Sequence, residues 1–194
     1  MNYQILSPKS FNTKKWSGGE TTELYIYPLE SEYGKLDFKF RLSTATVAVN
    51  TSVFTALPGV FRQLLVLEGQ MELEHIGHHN KVLNSGVVDQ FSGDWETHSK
   101  GVCVDFNVMT TANTKVELSA VLLNAEEKQE LNLEAEYSEM FIYLYKGELN
   151  IGLADKEVLL REGELFCLKH LEEISMLCSA NLNSIAALVK VEVF

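Results

Sequence analysis

Leu64-Leu-Val-Leu-Glu-Gly-Gln-Met-Glu-Leu73 is the stretch on which the architecture of this 194-residue chain turns. It sets a glycine between two apolar, β-prone runs, each of strand length. The second half carries a counterpart, Phe141-Ile-Tyr-Leu-Tyr-Lys-Gly-Glu-Leu-Asn-Ile151. Both predict two strands joined by a glycine turn, at Gly69 and at Gly147. Both are followed by another strand pair whose turn carries glycine, at Gly86 and at Gly163. The two units lie too far apart for a solenoid repeat, and their spacing is right for a duplicated small barrel.

The surrounding sequence is of the same kind. Thr22–Tyr27, Phe38–Ser43, Gln63–Glu68, Met71–His75 and Val102–Val108 alternate or run apolar over strand lengths, and Gly- or Asn-containing breaks follow most of them. The single stretch with helical character, Asn124 to Glu130, is short and charged and reads as a linker. Apolar-apolar-x-Gly-x-apolar units followed by x-Gly-Glu/Asp resemble the cupin barrel. Two in tandem imply an all-β bicupin with little helix, its strands closed into barrels or sandwiches. The expected domains are residues 1–115, holding the candidate pocket, and 116–194, a degenerate second barrel.

Composition narrows the classes of function. A formal charge of −11 argues against nucleic acid, which needs clustered Lys and Arg. No apolar run has the length of a membrane span, and the N-terminus lacks the basic start and apolar core of a signal peptide. Cys103, Cys167 and Cys178 are odd in number and sit in apolar strand contexts, which predicts buried, reduced thiols in a cytoplasmic protein. The oligomeric state is open between monomer and homodimer.

Cupins commonly hold a metal through His-x-His and a following Glu ahead of the turn glycine. Counting back from Gly69, the Glu position falls on Arg62 and the His positions near Ala56 and Pro58. Counting back from Gly147, they fall on Met140 and near Glu134 and Glu136, and the later His positions fall on Thr97 and Ile174. An arginine at a ligand position repels a cation, so the expectation is no metal there and no cofactor. His75, His78 and His79 flank Gly77 and read as solvated loop histidines. His98 near Asp94 reads as a surface pair, and His170 is uninformative.

The candidate site comes from polar residues inside strand patterns, where they are costly unless paired or bound. Period-two alternation puts Phe38, Phe40 and Leu42 on one face and Lys39, Arg41 and Ser43 on the other. Likewise Val104, Phe106 and Val108 oppose Cys103, Asp105 and Asn107, while Arg62 and Leu64 point together. The polar faces would line a cup with two guanidiniums, a carboxylate, an amide and a hydroxyl. Arginine suits bidentate capture of a carboxylate, so a small acid is the natural guest. Gly18 and Gly19 allow close backbone approach, Trp16 would wall the mouth, and Glu23 would pair with an arginine or receive an amine. A purely structural role is the alternative, because Arg41 and Arg62 balance Glu23 and Asp105 without any ligand.

These segments, Trp16-Ser-Gly-Gly-Glu-Thr-Thr-Glu-Leu24, Phe40–Val47, Phe54-Thr-Ala-Leu-Pro-Gly-Val-Phe-Arg62, Leu67-Glu-Gly69, Phe91-Ser-Gly-Asp94 and Asp105–Met109, resemble the HutD/Ves family of bacterial bicupins. The match runs in order through most of residues 1 to 110. The family usually has Asp where this chain has Phe61. The resemblance implies a cytoplasmic protein without established catalysis, linked to histidine utilisation or to stress. It carries over onto Trp16, Glu23, Arg41, Ser43, Arg62, Asp105 and Asn107. The expectation is therefore a metal-free cupin that binds a small carboxylic acid as a metabolic or stress-related regulator. The rivals are a metal-free isomerase or hydrolase using Glu23 or Asp105 as general base, and an interaction protein with no ligand.

Overall fold

In a computed structural model, residues 2–153, 156–169 and 173–194 are described; His170 lies outside them. The strands of the first half are β1 (Asn2–Leu6), β2 (Asn12–Trp16), β3 (Gly19–Tyr27), β4 (Phe40–Val47), β5 (Thr51–Val53), β6 (Phe61–His75), β7 (Asn80–Asn84), β8 (Val88–Ser92), β9 (Thr97–Lys100) and β10 (Cys103–Thr110). Those of the second are β11 (Thr114–Leu123), β12 (Lys128–Leu133), β13 (Glu139–Lys146), β14 (Glu148–Leu153), β15 (Lys156–Arg161), β16 (Leu165–Lys169), β17 (Ile174–Ala180) and β18 (Ser184–Val193). Among the described residues the only helical pieces are the short 3-10 turns Pro8–Ser10 and Tyr33–Lys35. The fold is all-β, as the strand-length apolar runs require.

The chain divides into two compact units, Phe11–Thr114 and Met1–Ser10 with Lys115–Phe194. The N-terminal segment therefore groups with the second half of the chain, and the reason is strand pairing. β1 runs antiparallel to β16 with Gln4 opposite Cys167, and Tyr3 stacks on Phe166 at 5.6 Å between ring centroids.

The unit Phe11–Thr114 is built on one sheet in the order β2-β3-β4-β10-β6-β9-β5, with β7 and β8 also paired to β6. Here the structure corrects the sequence reading: Gly69 is not a turn between two strands but a bend within the single long strand β6. At Gly69 the backbone has φ +82°, and an added Cβ would lie 2.4 Å from the Val102 carbonyl oxygen. That bend lets the first part of β6 pair with β10 and β8 and the last part with β7 and β9. Val47, Leu64, Val66, Met71, Leu73, Leu83, Phe91 and Cys103 form a buried cluster inside it.

The other unit has two sheets, β1-β16-β13-β18-β11 and β12-β17-β14-β15. Its core includes Ile142, Leu144, Leu149, Ile151, Phe166 and Leu168, all fully buried. Asn124–Glu130 is neither helix nor linker. Asn124 and Glu127 close a turn, and β12 begins at Lys128.

Candidate functional site

Five neighbouring strands present alternate residues to one cavity of about 320 Å³ in the unit Phe11–Thr114. Across the sheet, Asn107 lies opposite Ser43 on one side and Leu64 on the other, while Met109 lies opposite both Arg41 and Arg62. Glu23 is opposite Ser43 in the β3–β4 ladder. Two register shifts border this face, at Leu24 between Glu23 and Tyr25 and at Leu67 where β10 passes from Val104 to Asp105. Neither extra residue lies on β10, whose unbroken alternation turns Asp105, Asn107 and Met109 to the cavity together, while on β3 the bulge at Leu24 ends the inward-facing run of Thr21 and Glu23.

Trp16, Glu23, Arg41, Ser43, Arg62, Asp105 and Asn107 all line this cavity. Trp16 is 40% exposed at its rim, over Gly18. A Cβ on Gly18 would lie 2.0 Å from the Trp16 ring, and one on Gly19 1.8 Å from the Thr46 carbonyl oxygen. Both glycines therefore serve close approach.

The charged groups fall into two unlike halves. Arg41 donates from Nε to Glu23 at 2.6 Å and from Nη1 to the Ser43 hydroxyl at 3.0 Å, with its guanidinium 4.5 Å from the centre of the Tyr33 ring. That half is internally satisfied. Arg62, 7% exposed, lies over the rings of Phe54 and Phe91 at 4.7 and 5.1 Å. Its Nε has no hydrogen-bond partner among the described residues, and neither has the buried Oδ1 of Asn107. Burial lowers the Arg62 guanidinium to about 10, with Asp105 pulling it back up. Burial likewise pushes the Asp105 carboxyl up to about 7, against the opposing pull of Arg62. Asp105 thus changes charge near neutrality while Arg62 stays cationic. The purely structural reading describes Glu23–Arg41 and does not describe Arg62.

Phe61, where the family usually has Asp, is 43% exposed and does not line the cavity. Two histidine expectations are corrected, and the expected burial of Cys103 is met. His98 pairs with Glu96 at 3.0 Å, whereas Asp94 accepts from Ser92. His75 is not a solvated loop residue: it is buried and pairs with Asp89 and Thr97. Cys103 is buried and its thiol is pushed up to about 12, chiefly by desolvation and then by Asp105, so it is no nucleophile at neutral pH. Sequence reasoning missed Tyr33, Phe54 and Phe91, the rings beneath the two guanidiniums. An aromatic within a strand or loop reads as core, and nothing local says that a distant arginine lies across it.

At the positions where cupins hold a metal, the chain carries other chemistry. Arg62 occupies the expected carboxylate position, and Thr97 occupies a histidine position with its hydroxyl bonded to His75.

The family model for HutD matches residues 8–186. The chain belongs to the HutD family. Among solved structures it is similar to a conserved protein of unknown function from Pseudomonas aeruginosa PAO1, at 21% identity and a TM-score of 0.84, covering 99% of this chain and 100% of that one. It is also similar to HutD from Pseudomonas fluorescens SBW25, solved in a formate condition, at 16% identity and a TM-score of 0.75 with 100% of both chains covered. The bacterial pirin YhhW from Escherichia coli, in complex with nickel(II), matches at 12% identity and a TM-score of 0.67 over 97% of this chain and 98% of that one. These likenesses establish a cupin-like fold for this HutD-family chain. No curated protein gives a significant match to the sequence.

Proposed function

We propose that this HutD-family protein binds a small carboxylic acid in the cavity of the unit Phe11–Thr114, with Arg62 as the anion anchor, and acts as a metabolic or stress-related regulator. The reading rests on one observation above the others: a buried guanidinium lies over two aromatic rings with its Nε unbonded and a cavity in front of it. A buried charge without a hydrogen-bonded partner is costly, and a carboxylate would supply both charge and acceptors. The unbonded Asn107 oxygen accepts from the hydroxyl of a protonated acid or of a hydroxy acid. Protonated Asp105 donates to the anion.

The test is a thermal-shift screen of chelator-treated protein against urocanate, formylglutamate, glutamate, histidine and simple dicarboxylates. A ligand at a hundred times its dissociation constant adds about 2.7 kcal/mol of stability. The expected result is an upward shift for one acid that Arg62→Ala abolishes and Phe61→Ala does not. A screen with no shift for any acid removes the reading in favour of a structural or partner-binding role.

One observation favours a second reading. A carboxyl pushed to about 7 beside a guanidinium is suited to proton transfer, which would make Asp105 the base of an isomerase or hydrolase. Glu23 is the weaker base because Arg41 already holds it. Incubating the bound acid with the protein and analysing for product separates the two: an unchanged ligand supports a sensor, and a product that Asp105→Asn eliminates supports an enzyme.

A further inference from the structure

A second cluster lies outside the cavity, where the turn after β6 folds back on itself. The His75 amide donates to the His79 carbonyl at 2.9 Å, and the His78 amide donates to the His75 carbonyl at 2.9 Å. This hairpin lays His79 over His75, with ring centroids 4.6 Å apart. β8 brings Asp89 beneath both. His75 Nε2 is 3.0 Å from Asp89 Oδ2, and His79 Nε2 is 3.2 Å from the same oxygen and 3.1 Å from Oδ1. We propose that His75, His79 and Asp89 form a binding site for a divalent transition metal ion, with Zn²⁺ as the best match.

Three features carry this. First, the donor set is right. Two imidazoles and a carboxylate, with their donor atoms all within 4.8 Å of one another, match a three-ligand zinc site that leaves a fourth position for water. Zinc–ligand bonds of about 2.0–2.2 Å at tetrahedral angles put ligand atoms roughly 3.3 Å apart, close to the spacing of the two imidazole nitrogens from Oδ2. Second, the ligands are already oriented by a surrounding layer of contacts. His75 Nδ1 is held by the Thr97 hydroxyl at 2.8 Å, and Asp89 Oδ1 accepts from the Gln90 amide at 2.9 Å. Outer contacts of this kind are what orient metal-bound imidazoles and carboxylates. Third, the site is rigid on one side and open on the other. His75 and Asp89 are buried, whereas the His79 side chain is 40% exposed and gives an ion access from solvent.

One neighbour opposes a cation. Lys81 Nζ lies 3.5 Å from Asp89 Oδ1 and is tethered to the Val88 carbonyl at 2.8 Å. It contacts Oδ1, which His79 Nε2 also approaches at 3.1 Å, whereas both imidazoles reach Oδ2, the oxygen on which a metal would centre. The ammonium still weakens the site by like-charge repulsion, and that supplies a second handle for the experiment. The position differs from the one at which cupins hold a metal, and the inference stands independently of acid binding at Arg62.

The experiment is isothermal titration of the untagged, chelator-stripped full chain with zinc chloride, with Co²⁺ absorption as a second readout. The expected result is one equivalent bound and visible bands from low-coordinate Co²⁺. His79→Ala should weaken zinc by about tenfold or more, Lys81→Gln should tighten it, and His98→Ala should leave it unchanged. His79 and Lys81 are both partly exposed, so these variants are expected to fold, and an unaltered melting temperature without metal checks this. Absence of zinc binding, or equal affinity in the wild type and in folded His79→Ala, would overturn the proposal and leave a hydrogen-bonded His–Asp–His cluster.

Discussion

Asp105 is the residue whose charge state governs the candidate site. Its carboxyl is raised from 3.8 to about 7 because burial penalises the ionised form more than Arg62 stabilises it. Between those two values the folded chain holds a proton that the unfolded chain has released, so stability falls as pH rises through this window. Denaturation midpoints measured from pH 4 to pH 8 should show that loss, and Asp105→Asn should remove that part of the slope. An unchanged slope in the variant would mean that Asp105 is ionised in the native protein. The same group shapes binding: an anion beside Arg62 favours protonated Asp105, so acid affinity should weaken as pH rises above about 7.

At the scale of the element, the decisive features are a bend and two bulges. Gly69 and Gly147 have φ of +82° and +98°, and in each case a Cβ would press on backbone, the Val102 oxygen at 2.4 Å and the Asn183 oxygen at 2.6 Å. Gly59 has φ +78° with nothing within 4 Å. Gly59→Ala should therefore cost only the left-handed backbone penalty, about 1–2 kcal/mol. Gly69→Ala adds a collision with a carbonyl fixed in the strand ladder and should cost about 3 kcal/mol or more. Urea unfolding of the two variants checks the difference, and equal losses would show that close approach to Val102 is not what holds the bend. The bulges at Leu24 and Leu67 have a different role, since they shift the register of β3 against β4 and of β6 against β10.

Over the whole molecule, the two units repeat one local pattern of hydrogen bonds. In the first, Gly86 donates to the Val66 carbonyl at 2.8 Å and Val66 donates to Val87 at 3.2 Å. In the second, Gly163 donates to Leu144 at 2.7 Å and Leu144 donates to Glu164 at 3.1 Å. The equivalence fits a duplicated barrel. The N-terminal strand gives the second unit a second partner for β16, on the side away from β13. Deleting the first ten residues should expose β16 as an edge, so amides of Leu165–Lys169 that face β1 should lose hydrogen-exchange protection while those of β6 keep theirs. Uniform loss of protection across both units would show instead that they unfold as one.

Much of the fold was legible because its signals are local. Period-two alternation assigns a face to every residue of Phe40–Val47 and Cys103–Thr110, and glycine marks the places where the chain must bend. The polar positions were legible for the same reason, since Arg41, Arg62, Asp105 and Asn107 interrupt apolar strands. Misreadings arose where contacts join residues distant in sequence. Gly69 read as a turn because the partners that keep β6 continuous, β10, β9 and β7, come later in the chain. His75 read as solvated because Asp89 and Thr97 reach it only through the barrel. By itself, then, the sequence determined an all-β duplicated architecture and the residue types available to a pocket, through propensity and alternation. Only the tertiary structure decided that Glu23 satisfies Arg41 while the Nε of Arg62 stays unbonded, because charge pairing depends on distances that strand register and bulges set.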